Sequence, residues 1–134
     1  MDLRESIKKH TEVSLNLAKH VSLKHAKESN LVFSPLSIHV VLSLIAAGAK
    51  GETLDELLKF LKSQTSGDLN SFSSELVALV LADGSKIGGP RMSFANGVWI
   101  EKSLPLKPYF KDIVDTVYKA SSFLPYHYNT HFKL

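Results

Sequence analysis

The feature that most constrains the fold is an apolar segment, Leu36 to Ala49, whose hydrophobic residues do not fit on one face of a helix. Ser34 is a typical N-cap residue, and Pro35 suits the first helical position, where its missing N–H removes no hydrogen bond. Gly48 is expected to end the helix. Apolar side chains then point in nearly every direction around its axis: Leu36, Val40, Val41, Leu42, Leu44 and Ile45. We therefore predict a helix enclosed by other elements.

This segment is not expected to cross a membrane. Ser37, His39 and Ser43 interrupt it, and it is shorter than the ~18 to 20 residues that a spanning helix needs. The whole chain has 134 residues, 44% of them hydrophobic and 22% charged, which is typical of one globular domain. Its net charge is +3 without a long run of like charges, so a nucleic-acid partner is not favoured. The polar N-terminus, which does not resemble a signal peptide, and the absence of cysteine favour a cytoplasmic location by default.

Apolar periodicity predicts two more helices around this segment. A first helix, from Glu5 to Lys27, has a narrow apolar stripe and lysines on its polar face. A third helix is predicted to begin at Thr53 to Glu56, which has the form of a capping box. Four leucines then fall at positions i, i+3, i+4 and i+7, as expected for one buried face: Leu54, Leu57, Leu58 and Leu61.

Two further helices are predicted on either side of a glycine-containing loop. Asp68 is expected to cap the fourth helix, which stops at Asp83-Gly84. The apolar face of this helix consists of Leu69, Phe72, Leu76, Leu79 and Val80. The loop is LADGSKIGGP, and after it Pro108 begins a fifth helix that ends near Tyr118.

The strand content is predicted to be small. Leu31 to Phe33 is expected to form a short strand before the apolar helix. Arg91 to Ile100 carries apolar residues on both faces, which predicts a strand covered on both sides. The final stretch, ASSFLPYHYNTHFKL, has no sustained periodicity and predicts no element.

Serine and histidine near the apolar helix raise the question of a nucleophile. Ser34, Ser37 and His39 lie close in sequence, but no G-x-S-x-G elbow surrounds them, so helix capping is favoured. His127 and His131 have a spacing that could bind a metal on a helix, yet no third ligand lies near them.

The remaining polar patterns also favour structural roles. Asp112 and Asp115 are expected on a solvated helix face, and His10, His20 and His25 on the surface of the first helix. The glycines of GAKGET and GSKIGG match neither a P-loop nor a dinucleotide-binding motif. The residues therefore predict no catalytic, metal or cofactor site, no cofactor, and a protein that is not an enzyme.

Three stretches together resemble the serpin superfamily of serine-protease inhibitors. They are N-L-V-F-S-P-L-S-I at Asn30 to Ile38, L-x-L-x-A-A-G-A-x-G-x-T at Leu42 to Thr53, and F-A-N-G-V-W-I-E-K-S-L-P-L-K-P-Y-F at Phe94 to Phe110. MDLRESI, and LADGS with GGP, are similar to plant-type serpins in particular. The resemblance covers residues 1–121, a truncated serpin domain, and leaves residues 122–134 as a divergent C-terminal tail.

The resemblance implies an α+β fold, mostly helical as it stands. It would contain helices A to E of a serpin, one short strand of sheet B and one or two strands of sheet A. Serpins trap a protease when a cleaved reactive loop inserts into sheet A as an extra strand. Ser34 and Ser37 match positions of the shutter, the polar region beneath the strands that part.

The resemblance also implies what is missing. No residues match the reactive loop or most of sheet A, so we expect a serpin-family protein that is non-inhibitory in this form, through truncation, altered splicing or a gene-model error. One alternative is the N-terminal part of an authentic inhibitor, with a target protease as partner only in the complete serpin. The other is an interaction module that pairs with another serpin or partner chain.

Two surfaces follow from that missing cover. Self-association is expected through an exposed strand edge or the apolar face of the helix that begins at Pro35. Glycosaminoglycan binding is not expected, because residues 68–82 contain no Lys or Arg. Plant-type serpins occur in more than one compartment, including extracellular ones, so the resemblance leaves localisation open.

Overall fold

The computed structural model describes residues 2–28, 30–80, 83–91, 97–99, 106–119 and 121–123. Within these ranges it contains five α-helices, one 3₁₀ turn and two short strands. The helices are α1 (Leu3–His25), α2 (Pro35–Gly48), α3 (Gly51–Phe60), α4 (Ser66–Leu79) and α5 (Pro108–Thr116); the 3₁₀ turn is Ser85–Ile87, and the strands are β1 (Gly97–Trp99) and β2 (Ser121–Phe123). No helix in the described ranges is long and apolar enough to span a bilayer.

Helix α2 occupies the centre and contacts α1, α3, α4 and α5. One apolar cluster joins α2 to α5 and the residues that follow it: Val40, Leu44, Ile113, Val114 and Tyr118. A second cluster joins α2 to α1, α3 and α4: Val13, Ala46, Leu61 and Leu69. Helices α2 and α5 approach closely at Gly48, where a Cβ atom would lie 2.9 Å from Cε2 of Phe110. The predicted helix end is thus also a helix-packing position.

The prediction that α2 is enclosed on every side is wrong for the described chain. Val40 and Leu44 are 0% and 7% exposed, whereas Val41 and Ile45 are 45% and 50% exposed. Ser37, Val41 and Ile45 form one exposed row along the helix, which we call the open stripe. The packed helices cover the other faces of α2, and no described element lies over this row.

The helix ends agree with the sequence at α2 and differ at its neighbours. Ser34 caps α2 as predicted. The predicted capping box at Thr53 is wrong: Lys50 is the N-cap of α3, three residues earlier, and Gly51 takes a positive φ of 58° as the first helical residue. The leucine face is confirmed, because Leu61 is buried and Leu54, Leu57 and Leu58 pack around its cluster.

The start and buried face of α4 also differ from prediction. Thr65, not Asp68, is the N-cap: its Oγ1 accepts a hydrogen bond from the Asp68 N–H at 3.1 Å and donates one to Asp68 Oδ2 at 2.8 Å. Helix α4 ends at Leu79, before the predicted stop. Its buried side chains are Leu69, Phe72, Ser73 and Val77, while Leu79 and Val80 are 71% and 48% exposed. The buried face of α4 therefore differs from the predicted one near the C-terminal end of the helix, where Leu79 and Val80 are exposed.

The two strands pair in parallel, with Gly97 opposite Ser121 and Trp99 opposite Phe123. Helix α5 connects them, as a parallel pair requires a crossover. The predicted strand from Arg91 to Ile100 is confirmed only at β1; Arg91 lies outside it, and residues 92–96 and 100 lie outside the described residues. β2 was missed by the sequence. Leu31 to Phe33 is not a strand, since it makes no ladder with any described segment.

Candidate functional site

The first candidate site is the start of α2, where two serine hydroxyls meet. Ser34 has extended backbone angles, φ −111° and ψ 105°, and its Oγ accepts hydrogen bonds from the Ser37 N–H at 3.2 Å and the Ser37 Oγ–H at 3.0 Å. Both residues are exposed. Ser34 satisfies one of the helix's free N–H groups and keeps its own hydroxyl proton available for a further acceptor.

His39 does not activate either serine. Its side chain is 3% exposed, and neither ring nitrogen has a hydrogen-bond partner among the described residues. Nucleophilic catalysis by a serine requires a base within hydrogen-bonding distance of the hydroxyl. Ser34 is therefore a helix cap, and the Ser37 hydroxyl is hydrogen-bonded to it.

His39 instead belongs to a buried aromatic group with His10 and Phe72. The His39 ring lies edge-on to His10 at 4.7 Å between centroids and to Phe72 at 5.6 Å. The prediction that His10 is a surface residue is wrong, because it is half buried at the contact between α1 and α2; His20 and His25 are exposed as predicted. Burial, and secondarily the nearby His10, lowers the pKa of His39 to about 4, so its imidazole is neutral at pH 7. Burial also lowers the pKa of His10.

A second buried polar group lies between α2, α4 and the end of α5. The Tyr118 hydroxyl donates to Asn70 Oδ1 at 2.9 Å, and burial raises the pKa of Tyr118 to about 12. The Ser73 and Ser43 hydroxyls lie close enough to oppose that rise. Neither serine makes a hydrogen bond of normal geometry in the described part of the chain, although both are fully buried. Sequence reasoning missed this group and the histidine group; the available signal was polar residues at helical spacing within apolar helices.

The other candidate residues have structural surroundings. Asp112 and Asp115 are exposed on α5 as predicted, and Asp115 pairs with Lys111 at 2.5 Å. The GSKIGG loop closes on itself, since the Gly89 N–H donates to the Gly84 carbonyl at 2.9 Å. No cluster of three or more metal-binding side chains occurs within the described ranges. His127 and His131 lie outside the described residues.

Comparison with known proteins decides the family. A family model described as "Serpin (serine protease inhibitor)" matches residues 8–127. The chain belongs to the serpin family. This serpin is 57% identical over 122 residues to Serpin-ZX of Arabidopsis thaliana and 46% identical over 126 residues to Serpin-ZXA of Oryza sativa. It is also 40% identical over 125 residues to a protein named "Probable non-inhibitory serpin-Z5" of Arabidopsis thaliana.

A solved structure confirms the fold class. The Arabidopsis AtSerpin1 structure in its native stressed conformation superimposes on 91% of this serpin with a TM-score of 0.83 at 57% identity. The match covers 31% of that chain, and the chain likewise spans 31% of Serpin-ZX and 32% of Serpin-ZXA. The five helices and the strand pair are thus the N-terminal part of a serpin fold. The predicted boundary between residues 121 and 122 stays a prediction.

Proposed function

We propose that these 134 residues, acting by themselves, form a serpin-family polypeptide that does not inhibit proteases. The observation that carries the proposal is coverage: the chain spans 31% of Serpin-ZX and 29% of the relative named as a non-inhibitory serpin. Inhibition by loop insertion needs a reactive loop and a sheet that accepts it. Neither has a counterpart among the stretches that carry the family resemblance.

The small sheet supports this proposal. β1 and β2 pair over three residues each, and these are the two strands in the described part of the chain. A two-stranded sheet is marginal in water, so an inserted strand would gain few ladder hydrogen bonds there. Stable trapping of a protease by strand addition would need the additional strands of a complete sheet.

A covalent-complex assay tests the proposal. The chain is incubated with a trypsin-like serine protease and a papain-like cysteine protease, and the products are separated by denaturing electrophoresis. We expect cleavage of the chain and no band at the summed mass. A full-length plant serpin in parallel is the positive control. A denaturation-resistant complex with the 134-residue chain would contradict the proposal and favour the alternative that it carries inhibitory function.

We further propose that Ser34 and Ser37 serve as shutter residues in a complete serpin. The support is their mutual hydrogen bond, their exposure at one end of the open stripe, and the spare proton on Ser34 Oγ. In a complete sheet these hydroxyls would bond polar groups of the strands above. Replacing Ser37 with alanine in a full-length plant serpin should change the rate of loop insertion while leaving the first cleavage step unchanged.

The open stripe favours a second candidate function, an interaction module. Val41 and Ile45 are each about half exposed on adjacent turns of α2. Such a row is an apolar surface that a partner chain or a second copy could cover. Sedimentation of the chain across a concentration series, and pull-down with a full-length serpin, separate self-association from pairing. Both should weaken in the Ile45→Asp variant and persist in Lys19→Asp, a control on the exposed face of α1; equal binding by the two variants would exclude the stripe.

A further inference from the structure

The connection between α4 and β1 contains a tip formed by Ser85, Lys86 and Ile87. All three residues are exposed, and Ile87 is 91% exposed. Gly84 and Gly89 form the base of the tip, where the Gly89 N–H donates to the Gly84 carbonyl at 2.9 Å. A Cβ atom on Gly89 would lie 3.1 Å from that carbonyl oxygen, so the two sides of the base meet closely. The tip is therefore a small closed loop whose residues are open to solvent.

Few hydrogen bonds hold the tip in its folded shape. The Ile87 N–H donates to the Gly84 carbonyl at 3.0 Å, and the Gly88 N–H donates to the Ser85 carbonyl at 3.4 Å. Because residues 85–90 are exposed, opening these bonds returns them to water and uncovers no apolar core. Exposed loop tips made of small and polar residues are preferred sites of proteolytic nicking. The Lys86–Ile87 bond lies at the centre of this one.

Most other basic residues in the described ranges lie in helices. They are Arg4, Lys8, Lys9, Lys19 and Lys24 in α1, Lys59 in α3 and Lys111 in α5. Cleavage there would first require a helical turn to unwind, because a protease acts on the opened chain. Lys50 has the same restriction, since it lies between the end of α2 and the start of α3.

Nearly all of the remaining basic residues have a neighbour that hinders cleavage. The neighbours are the buried Leu61 before Lys62, the buried Tyr118 before Lys119, Pro108 after Lys107 and the acidic Glu28 after Lys27. Arg91 lies just beyond the base of the loop, and the residue after it is outside the described ranges. Lys86 therefore combines exposure, a following apolar residue and a local structure that opens easily.

We propose that the Lys86–Ile87 bond is a cleavage site for a trypsin-like serine protease, and that the two fragments stay associated after the cut. The cationic side chain of Lys86 fits the acidic specificity pocket of such a protease. One water molecule is consumed: the bond between the Lys86 carbonyl carbon and the Ile87 nitrogen breaks, leaving a carboxylate on Lys86 and an amine on Ile87. The site rests on the proposed function, because a chain that trapped the protease would not be released as a nicked product.

Contacts between the two fragments lie away from the loop. The apolar cluster between α2 and α5 joins them, with Val40 and Leu44 before the cut and Ile113, Val114 and Tyr118 after it. The Tyr118 hydroxyl also donates to Asn70 of α4 at 2.9 Å. Cutting the exposed tip leaves these buried contacts in place, and the burial of apolar surface continues to hold the fragments together. The nicked chain is therefore expected to be a folded complex of residues 1–86 and 87–134.

Limited digestion with trypsin, followed by intact-mass spectrometry, tests the cleavage site. Among N-terminal fragments that end within residues 2–91, we expect 1–86 to appear first. Lys86→Gln removes the lysine that the specificity pocket binds, so the first cut in this range should slow at least about tenfold. Lys50→Gln, a matched change at another exposed lysine outside the helices, should leave the rate unchanged. Circular dichroism confirms that both variants keep their helices. An earlier fragment that ends elsewhere in this range, or an unchanged rate in Lys86→Gln, would overturn the site.

The same digest separates the site from the proposed function. A covalent complex with trypsin would contradict the proposed function, whereas free fragments cut at another bond would contradict only the site. Native mass spectrometry of the nicked chain then tests association. We expect one species at the summed mass of the fragments, and a urea midpoint that rises with protein concentration, as for any two-chain complex. Fragments that separate without denaturant would overturn the proposed association.

Discussion

The two sides of α2 carry similar apolar residues but have opposite surroundings. Val40 and Leu44 are fully packed against α5, whereas Val41 and Ile45, one position further along the chain in each case, are about half exposed. Local sequence gives both sides the same apolar character. The difference is made by the neighbouring elements, which in the described part of the chain are α1, α3, α4, α5 and one strand pair. The open stripe is the side of α2 that no element in the described ranges covers.

The largest expected effect comes from a matched pair of alanine substitutions, one on each side of α2. Leu44→Ala removes a packed side chain and leaves a cavity, so we expect the free energy of unfolding to fall by about 2 to 5 kcal/mol. Ile45→Ala removes a half-exposed side chain, and we expect a loss of about 1 kcal/mol or less. Urea titrations followed by circular dichroism measure both. Equal losses would show that the open stripe is packed in solution.

The next largest effect is the pH dependence of the free energy of unfolding, which is conferred by His39 on a buried face of α2. Its pKa is about 4 in the folded chain and near 6.5 when unfolded, so the unfolded state binds the proton more readily. The stabilisation is fully present above pH 6.5 and is lost as the pH falls towards 4. A fall of about 1 to 3 kcal/mol is expected across that window.

Two variants isolate the His39 contribution. His39→Phe should flatten the unfolding free energy between pH 6.5 and 4, whereas His20→Phe, altered at an exposed position, should keep the slope of the unaltered chain. Urea midpoints at half-unit pH intervals provide the measurement. An undiminished slope in His39→Phe would assign the acid sensitivity to other groups, of which His10 is the nearest.

The smallest effect lies at the start of α2, where the two serines differ in role. Ser34→Ala removes the acceptor for the Ser37 N–H, and the loss of an N-cap costs about 1 kcal/mol. Ser37→Ala removes only an exposed hydroxyl bond, so a change within about 0.5 kcal/mol is expected. Thermal unfolding of the two variants side by side checks the order. A larger loss for Ser37→Ala would show that its hydroxyl has a partner beyond Ser34.

Local features were the most predictable part of this fold. Ser34 and Gly48 bound α2 as expected, because a cap depends on a few neighbouring backbone groups. Thr53 and Asp68 were assigned the wrong role because the positive φ of Gly51 and the competing hydroxyl of Thr65 set the actual helix starts. Both determinants are local, yet propensity alone did not rank them.

Tertiary packing decided what could not be predicted. The faces of α2 and α4 looked uniformly apolar, but packing buries Val40 rather than Val41 on α2 and Val77 rather than Leu79 on α4. The serine pair of the candidate site followed from the family resemblance. The contact of His10 with His39 joins residues 29 positions apart on different helices, so no local pattern indicated it.

The proposed lack of inhibition by the chain alone can be tested on the protease itself. The most direct test is the residual activity of a trypsin-like and a papain-like protease after incubation with increasing molar ratios of the 134-residue chain. We expect unchanged protease activity at every ratio, together with digestion of the chain as an ordinary substrate. A stoichiometric, time-dependent loss of activity that dilution does not reverse would contradict it.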